Sequence, residues 1–336
     1  MRYGLLICVM AVVGIVAWYS VSGPDDRTLV VYCAHDLEYS EPILKKFEAD
    51  TGIRVVIVGD TEATKSLGLV QQILREGAHP RCDVFWNNQV LGTVQLERAD
   101  LLVPYKGPGY ERIPSAFKHP EGLWTGFAGR LRVWIVNTKK MPATTEALET
   151  ALTAPDLSGM AIAMPMFGTT LSHYSLLWSR TGGDALKEQH RELVQRGCQV
   201  VSGNATVKNL VTAGTCTFGM TDTDDYFVAQ DEQKPVAQLP IRIDGQTICI
   251  PNSVAIIRGT DKLESAQKLV DYLLSEAVEL ELAASKACQI PLGPVSGPLS
   301  PEVQQLVDWA QETADMTDLG QAQEECLAWL KAEYAP

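Results

Sequence analysis

Basic residues are scarce in this sequence: 28 Lys and Arg stand against 41 Asp and Glu, a formal charge of −13 over 336 residues. That deficit excludes a nucleic-acid binder, which needs a basic surface, and docking on anionic lipid through a basic patch. An acidic surface also repels anions at long range, so an anionic ligand needs a local counter-field. No C-x-x-C occurs, which leaves no zinc knuckle and no thioredoxin motif. G-x-S-x-G, H-E-x-x-H and the P-loop are absent too, and with them the commonest hydrolase and nucleotide-binding signatures. His79, His119, His173 and His190 lack metal-ligand spacing and read as surface or core residues. There is no internal repeat and no low-complexity tract.

What remains is an ordinary globular composition, 46% hydrophobic and 21% charged, in a chain long enough for two domains. Residues 1–25 form a targeting segment. Arg2 precedes an apolar run from Leu5 to Trp18, then Ser20-Val21-Ser22-Gly23, as in a secretory signal with a small-residue cleavage site. The run Tyr3 to Val21 is also long enough for an uncleaved anchor, since a span needs about 20 residues. Either way the folded part is expected in the periplasm or anchored on the outer side of a membrane, touching that membrane only through this segment. Export permits disulfides. Seven cysteines follow Cys8, an odd number, so at least one lacks an internal partner. Cys33, Cys82, Cys216 and Cys249 lie in strand-like runs, where a thiol serves as a small buried hydrophobe. Cys198 and Cys216 are a candidate pair across a strand-helix-strand unit.

Periodicity predicts an alternating chain. Thr28–Cys33 is a continuous apolar run, as a buried parallel strand should be. Ser40 reads as the cap of a helix with Pro42 in its first turn and Gly52 past its end. A second strand spans Ile53–Val58. The next helix has Leu67, Val70, Ile73 and Leu74 on one face, and a third strand covers Cys82–Trp86. This βαβαβ order implies right-handed crossovers whose loops open on one sheet edge. Further strands are expected at Trp124–Asn137, Ala161–Pro165, Val200–Ser202 and Thr217–Thr221, with strand-like sequence between Gln238 and Ile257. Helices are expected at Leu171–Trp178, from Asn204 to about Ala213, and as one long element from about Lys262 to Ala284. Ser300-Pro301 signals another helix start.

The strand at Thr217–Thr221 runs out into Asp222, Asp224 and Asp225. Ligands bind at such strand ends, and three close carboxylates are relieved by a cation; the alternative is a solvated acidic turn. Asp222-Thr-Asp224 resembles the start of a calcium loop, but Tyr226 and the missing glycine exclude an EF-hand. Arg130 and Arg132 alternate onto one strand face, as a guanidinium clamp or a solvated face. Trp86 and Trp124 are candidates for cation–π stacking or for core packing. Tyr39 and Tyr226 are candidates for the cleft or the plain surface.

Val31-Tyr-Cys-Ala-His-Asp36, Phe47-Glu-Ala-Asp-Thr-Gly-Ile53, Cys82-Asp-Val-Phe-Trp86, Gly129-Arg-Leu-Arg132 and Phe218-Gly-Met-Thr-Asp-Thr-Asp-Asp225 resemble the iron(III)-type periplasmic solute-binding proteins of ABC importers, over about residues 28–290. The resemblance implies a two-lobe α/β fold, the type II periplasmic binding protein fold, with an interlobe cleft and a two-stranded hinge. Lobe 1 is then 28–129 plus 252–290, lobe 2 is 130–251, and 291–336 forms C-terminal helices across the lobes. In iron-binding members the metal is held by a histidine in the first loop, a glutamate after the third strand and a tyrosine pair. Here His35 and Asp36 occupy the first loop. The glutamate position falls on the neutral Asn88 or Gln89. The tyrosine pair falls on Asp224-Asp225, or on Asp225-Tyr226. His35, Asp224, Asp225 and Tyr226 are thus the implied metal set, for iron(III) or a divalent ion. The family also places an anion at a helix N-terminus, here Gly168, Thr169 and Thr170 with Asn204.

The expected function is a non-enzymatic substrate-binding component that hands a metal ion with a bound anion, or a small cationic or zwitterionic solute, to an ABC importer permease. Asp36, Asp222, Asp224 and Asp225 would form one wall, and the amide-rich segment Gly168–Thr170 another on a separate lobe. The alternatives are a metal-dependent hydrolase and a membrane-anchored sensor without a transporter.

Overall fold

A computed structural model describes residues 28–60 and 67–335; the targeting segment expected at 1–25 lies outside them. The chain begins with β1 (Thr28–Cys33), α1 (Leu37–Thr51), β2 (Arg54–Gly59), α2 (Leu67–Glu76), β3 (Val84–Asn87), α3 (Leu91–Arg98), β4 (Leu102–Val103) and α4 (Pro108–Arg112). There follow β5 (Thr125–Asn137), α5 (Thr145–Thr153), β6 (Met160–Ala163), α6 (Gly168–Thr181), α7 (Gly183–Gln195), β7 (Gln199–Val201), α8 (Asn204–Thr212), β8 (Phe218–Asp222) and α9 (Thr223–Asp231). The rest is β9 (Val236–Pro240), β10 (Arg242–Ile243), β11 (Gln246–Thr247), β12 (Cys249–Ile257), α10 (Leu263–Leu273), α11 (Glu276–Ala284), α12 (Pro301–Ala310) and α13 (Gly320–Glu333).

The sheet runs β2-β1-β3-β12-β5-β8-β6-β7. Two sets of three parallel strands, β2-β1-β3 and β8-β6-β7, flank the antiparallel pair β12 and β5. The first half of β5 pairs with β12 and its second half with β8 and β9. β5 and β12 are therefore the only strands common to both halves among the described residues. Parallel strands need helical crossovers, and these coat the sheet. Leu44 and Phe47 of α1 are sealed against Leu29 and Val31 beneath them, each fully buried side chain stabilising by about 1.5–3 kcal/mol. In the other half Val207 and Val211 of α8 pack against Ile135 and Ala161.

Several boundaries differ from expectation for local reasons. α1 starts at Leu37, three residues before Ser40, because the Asp36 carbonyl already accepts the Tyr39 and Ser40 amides; Pro42 then lies inside the helix. The long helix expected at 262–284 is two: Ser275 breaks it by accepting from the Val278 amide, restarting the chain as α11. The acidic run after β8 is not a solvated turn. Asp222 ends the strand, and Asp224 and Asp225 fall in the first turn of α9, where the helix dipole favours negative charge. The polar helix α7 has no counterpart in the sequence reading. Cys198 and Cys216 are both buried free thiols, so the candidate disulfide is not formed.

The crossing strands carry a bulge that matters for the site. Between Gly129 and Phe127 of β5 the register against β12 slips at Pro251/Asn252, and Ala128 is the extra residue, at φ 44°. A bulge kinks its strand and re-aims the side chains beyond it, here Arg130 and Arg132. Glu279, fully buried, pins this kink: it accepts from the amides of Ala128 (2.9 Å), Leu292 (2.8 Å) and Gly293 (3.1 Å) and from Arg112 Nη1 (2.6 Å). Glu279→Gln keeps the shape but turns an amide NH2 onto donors. It is expected to lower stability by about 1–3 kcal/mol, read as a reduced urea midpoint at unchanged slope.

Candidate functional site

The β-sheet register brings the carboxyl ends of both parallel sets to the crossing strands. Asn87, at the end of β3, pairs with Ser253 of β12; Asp222, at the end of β8, pairs with Arg132 of β5. The loops beyond these ends therefore meet. His35 and Asp36 follow β1, Asn88 and Gln89 follow β3, the α6 N-terminus follows β6, and Asp224 and Asp225 follow β8. The two halves touch where Ser172 of α6 donates to Gln89 Oε1 at 3.4 Å.

One wall is a buried polar network. Arg132, with no exposed surface, donates through Nη1 to Asp222 Oδ1 (2.6 Å), Asn204 Oδ1 (3.2 Å) and Thr169 (3.4 Å). Asp222 Oδ2 accepts from the Thr169 hydroxyl (2.5 Å) and Asn204 Nδ2 (3.0 Å). Thr170 donates to Asn204 Oδ1 at 3.2 Å. The Nε and Nη2 of Arg132 and the Nδ1 of buried His173 have no hydrogen-bond partner. Burial and the positive field of Arg132 push the His173 pKa down to about 3, so its imidazole is neutral.

A second network runs along the hinge. Arg130 donates to Asn252 (3.1 Å) and its Nε lies 3.6 Å from Asp224 Oδ2. Gln289 is satisfied with its amide oxygen facing His35 Nε2 (2.7 Å) and Arg130 Nη2 (3.3 Å) and its nitrogen facing the Ala128 carbonyl (3.2 Å). Asp224 and Asp225 are partly buried. Burial raises the Asp224 pKa; Arg130 opposes this, while Asp222 and Asp36 add to it. Asp225, which accepts from Thr221 at 2.7 Å, is pushed up to about 7 by burial and by Asp224. Burial, helped by Glu38, Asp224 and Asp36, pushes Tyr39 up to about 12. Asp36 and Tyr39 of the first half thus feel the charge of Asp224 in the second.

The expectation of two walls on separate lobes is not met. Thr169 donates directly to Asp222, so the amide-rich segment and the first acid share one wall. Nor do Arg130 and Arg132 form a free clamp, since each already faces an aspartate, Asp224 and Asp222 respectively. Asp222 itself is committed to Arg132 rather than presented to a cation. The four-residue metal set is not assembled: among the described residues no three His, Cys, Asp or Glu side chains converge on one point. His35 is engaged by Gln289, and Tyr226 packs edge-on against Phe227 with ring centroids 5.1 Å apart. Trp86 and Trp124 are core residues, 0% and 2% exposed, and Trp124 donates to Glu97. Gln289, Asn252, Ser253 and Ser172 are not among the expected site residues, and His173, expected only as a surface or core residue, is buried at 2% exposure beside Arg132. Asn252 and Ser253 did carry a signal, as the adjacent polar pair inside the fully buried run Cys249–Ile257.

Two sets of parallel strands, two crossing strands and polar loops meeting between them define a two-lobe binding protein. The chain belongs to the bacterial extracellular solute-binding protein family, whose model matches residues 43–318. It is 22% identical over 312 residues to iron uptake protein A1 of Synechocystis sp., covering 89% of this chain and 84% of the relative. It is 25% identical over 198 residues to the Fe(3+)-binding periplasmic protein of Serratia marcescens, covering 58% of this chain and 56% of that protein. The fold is that of iron-bound HitA from Pseudomonas aeruginosa, with a TM-score of 0.79 at 20% identity over 92% of this chain and 99% of the other. It likewise matches the apo ferric ion-binding protein A of Pasteurella haemolytica, with a TM-score of 0.79 at 21% identity over 91% and 97%.

Proposed function

We propose that this chain is the extracytoplasmic binding component of an ABC importer, and that it traps a small cationic or zwitterionic solute between its lobes for delivery to a permease. One observation carries the choice of solute. Three carboxylates, Asp222, Asp224 and Asp225, crowd the end of β8, and among the described residues the guanidiniums beside them are two, Arg132 on Asp222 and Arg130 on Asp224. The surplus acid is Asp225, whose charge Asp224 opposes and Lys208 only partly offsets. The raised pKa values of Asp224 and Asp225 report the same surplus, which a bound cation relieves. The lobes are 28–129 plus 252–290 and 130–251, with 291–336 packed across them. In support, α13 contacts α6 of one lobe and, through the Arg98–Glu324 pair (2.7 Å), α3 of the other. Closure about β5 and β12 is a standard hinge motion.

A second reading is iron(III) carried with an anion. It is favoured by the names of the relatives, which refer to iron uptake and Fe(3+) binding. The geometry supports it less, because His35 and Asp222 are turned to internal partners. What argues against an enzymatic role is the family match to solute-binding proteins and the names of the relatives, which refer to iron uptake and Fe(3+) binding. Native mass spectrometry of protein from its own host, with metal analysis, separates these readings. The expected result is a small organic adduct, free of iron and not turned over. Iron at one equivalent with an anion would select the second reading, and hydrolysis of the adduct would select an enzyme.

A further inference from the structure

We infer that Asp222 supplies, from within the chain, the negative charge that this binding site requires, so that the protein captures its solute without a co-bound anion. The inference rests on the solute-binding reading above and narrows it to ligands that bring positive charge unaccompanied.

The argument begins with two helix starts. α6, of 14 residues, and α8, of 9, both begin beside the end of β8, and neither has a side-chain cap. Helix N-termini carry partial positive charge and unsatisfied amides, and they attract anions. A buried guanidinium, Arg132, stands at the same place and leaves Nε and Nη2 without partners. Such a concentration of donors in a water-poor setting calls for an oxyanion. The structure already holds one. The Asp222 carboxylate takes Arg132 Nη1 at 2.6 Å, the Thr169 hydroxyl at 2.5 Å and Asn204 Nδ2 at 3.0 Å. Thr169 and Asn204 stand in the first turns of α6 and α8, so one carboxylate bridges both helix starts and the guanidinium.

An external oxyanion would have to break these short charge-assisted bonds. It would also enter a space where Asp222 and Asp36 already act against the charge of Asp224. Removing Asp222 reverses both terms. It leaves the donors of Arg132, Thr169 and Asn204 that the carboxylate occupied free to take an external oxyanion.

The test uses inorganic phosphate as the probe and full-length protein. Isothermal calorimetry of the wild type is expected to show no saturable phosphate binding, and acid-released wild type no stoichiometric phosphate, carbonate or citrate. Asp222→Ser is expected to bind phosphate at least about tenfold more tightly than wild type, with a thermal midpoint that rises with phosphate only in the variant. Comparable phosphate binding by the wild type would overturn the inference, as would a stoichiometric anion released from it, or a folded Asp222→Ser that ignores phosphate. If Asp222→Ser does not fold, the two wild-type measurements decide alone. Failure of the solute-binding reading looks different: the native protein then carries no solute at all, whereas here a solute is present together with an anion.

Discussion

Arg132→Met is expected to lower the unfolding free energy by about 3–5 kcal/mol, the loss typical of removing one partner of a buried ion pair. Methionine fills much of the arginine volume, so the loss is not mainly one of packing. What is lost is the one cation paired with Asp222 among the described residues. The carboxylate would remain buried, held by Thr169 and Asn204 but facing the charges of Asp224 and Asp225. Arg132→Met with Asp222→Leu is expected to recover much of the loss, because an apolar pair of matched volume replaces the buried charges without leaving one alone. Urea unfolding of the four corners of this cycle gives the coupling directly. Strictly additive losses would mean that the 2.6 Å pair contributes no coupling and that each side chain acts only through its own surroundings. The double variant is also expected to be stable yet unable to hold ligand, since the wall it rebuilds is apolar.

The same pair shows where the sequence was informative and where it was not. β1, β3 and β6 are visible as apolar runs, because parallel strands buried on both faces have little freedom in composition. Gly52 and Ser300 mark helix ends through chemistry that depends only on neighbours: a left-handed cap at φ 70° and a hydroxyl accepting from Val303. Ser275 uses the same chemistry, but apolar periodicity that continues in phase through both α10 and α11 hides the break. The site is less legible because its pairs are set by register. Alternation places Arg130 and Arg132 on one face; nothing local says that Arg132 lies opposite Asp222, 90 residues away. An acid at a strand end looks the same in sequence whether it faces a ligand or an arginine. His173 has no partner histidine at a ligand spacing, and Gln289 opens a Pro- and Gly-rich stretch that reads as a connection. Gln289 acquires meaning only when β12 brings Asn252 beside Arg130, and His173 only when α6 is laid against Arg132. The acidic character of the cleft, by contrast, was visible at once, because it is a sum of charges rather than a matter of pairing.

That charge sum sets the second large effect. Asp224→Asn together with Asp225→Asn is expected to weaken solute binding by over a hundredfold, about 3 kcal/mol, since a charge-assisted contact is worth about 1.5–3 kcal/mol and two are reduced at once. The variant is also expected to be more stable than wild type in the absence of ligand, and the difference should grow with pH. The sign follows from Asp225. Its folded-state pKa, about 7, lies above the ordinary carboxylate value. The folded state therefore holds the proton more firmly than the unfolded one. This contribution to stability is complete below the ordinary carboxylate pKa and is lost as pH rises through about 7. Asparagine cannot ionise and escapes that loss. Ligand binding runs the other way: a cationic solute needs the ionised acid, so wild-type affinity should rise as pH increases through about 7, and the double variant should lose that pH dependence. Calorimetric titration with the solute identified in the native protein, at pH 5.5, 7 and 8.5, measures both the affinity loss and the slope. Unchanged affinity in a folded double variant would remove these two carboxylates from the binding wall. An affinity that falls with rising pH would mean that the solute arrives as an anion. A gain in unliganded stability with a loss of binding is what a strained, charge-rich cleft predicts: the repulsion between Asp224 and Asp225 destabilises the empty protein, and a bound cation is what relieves it.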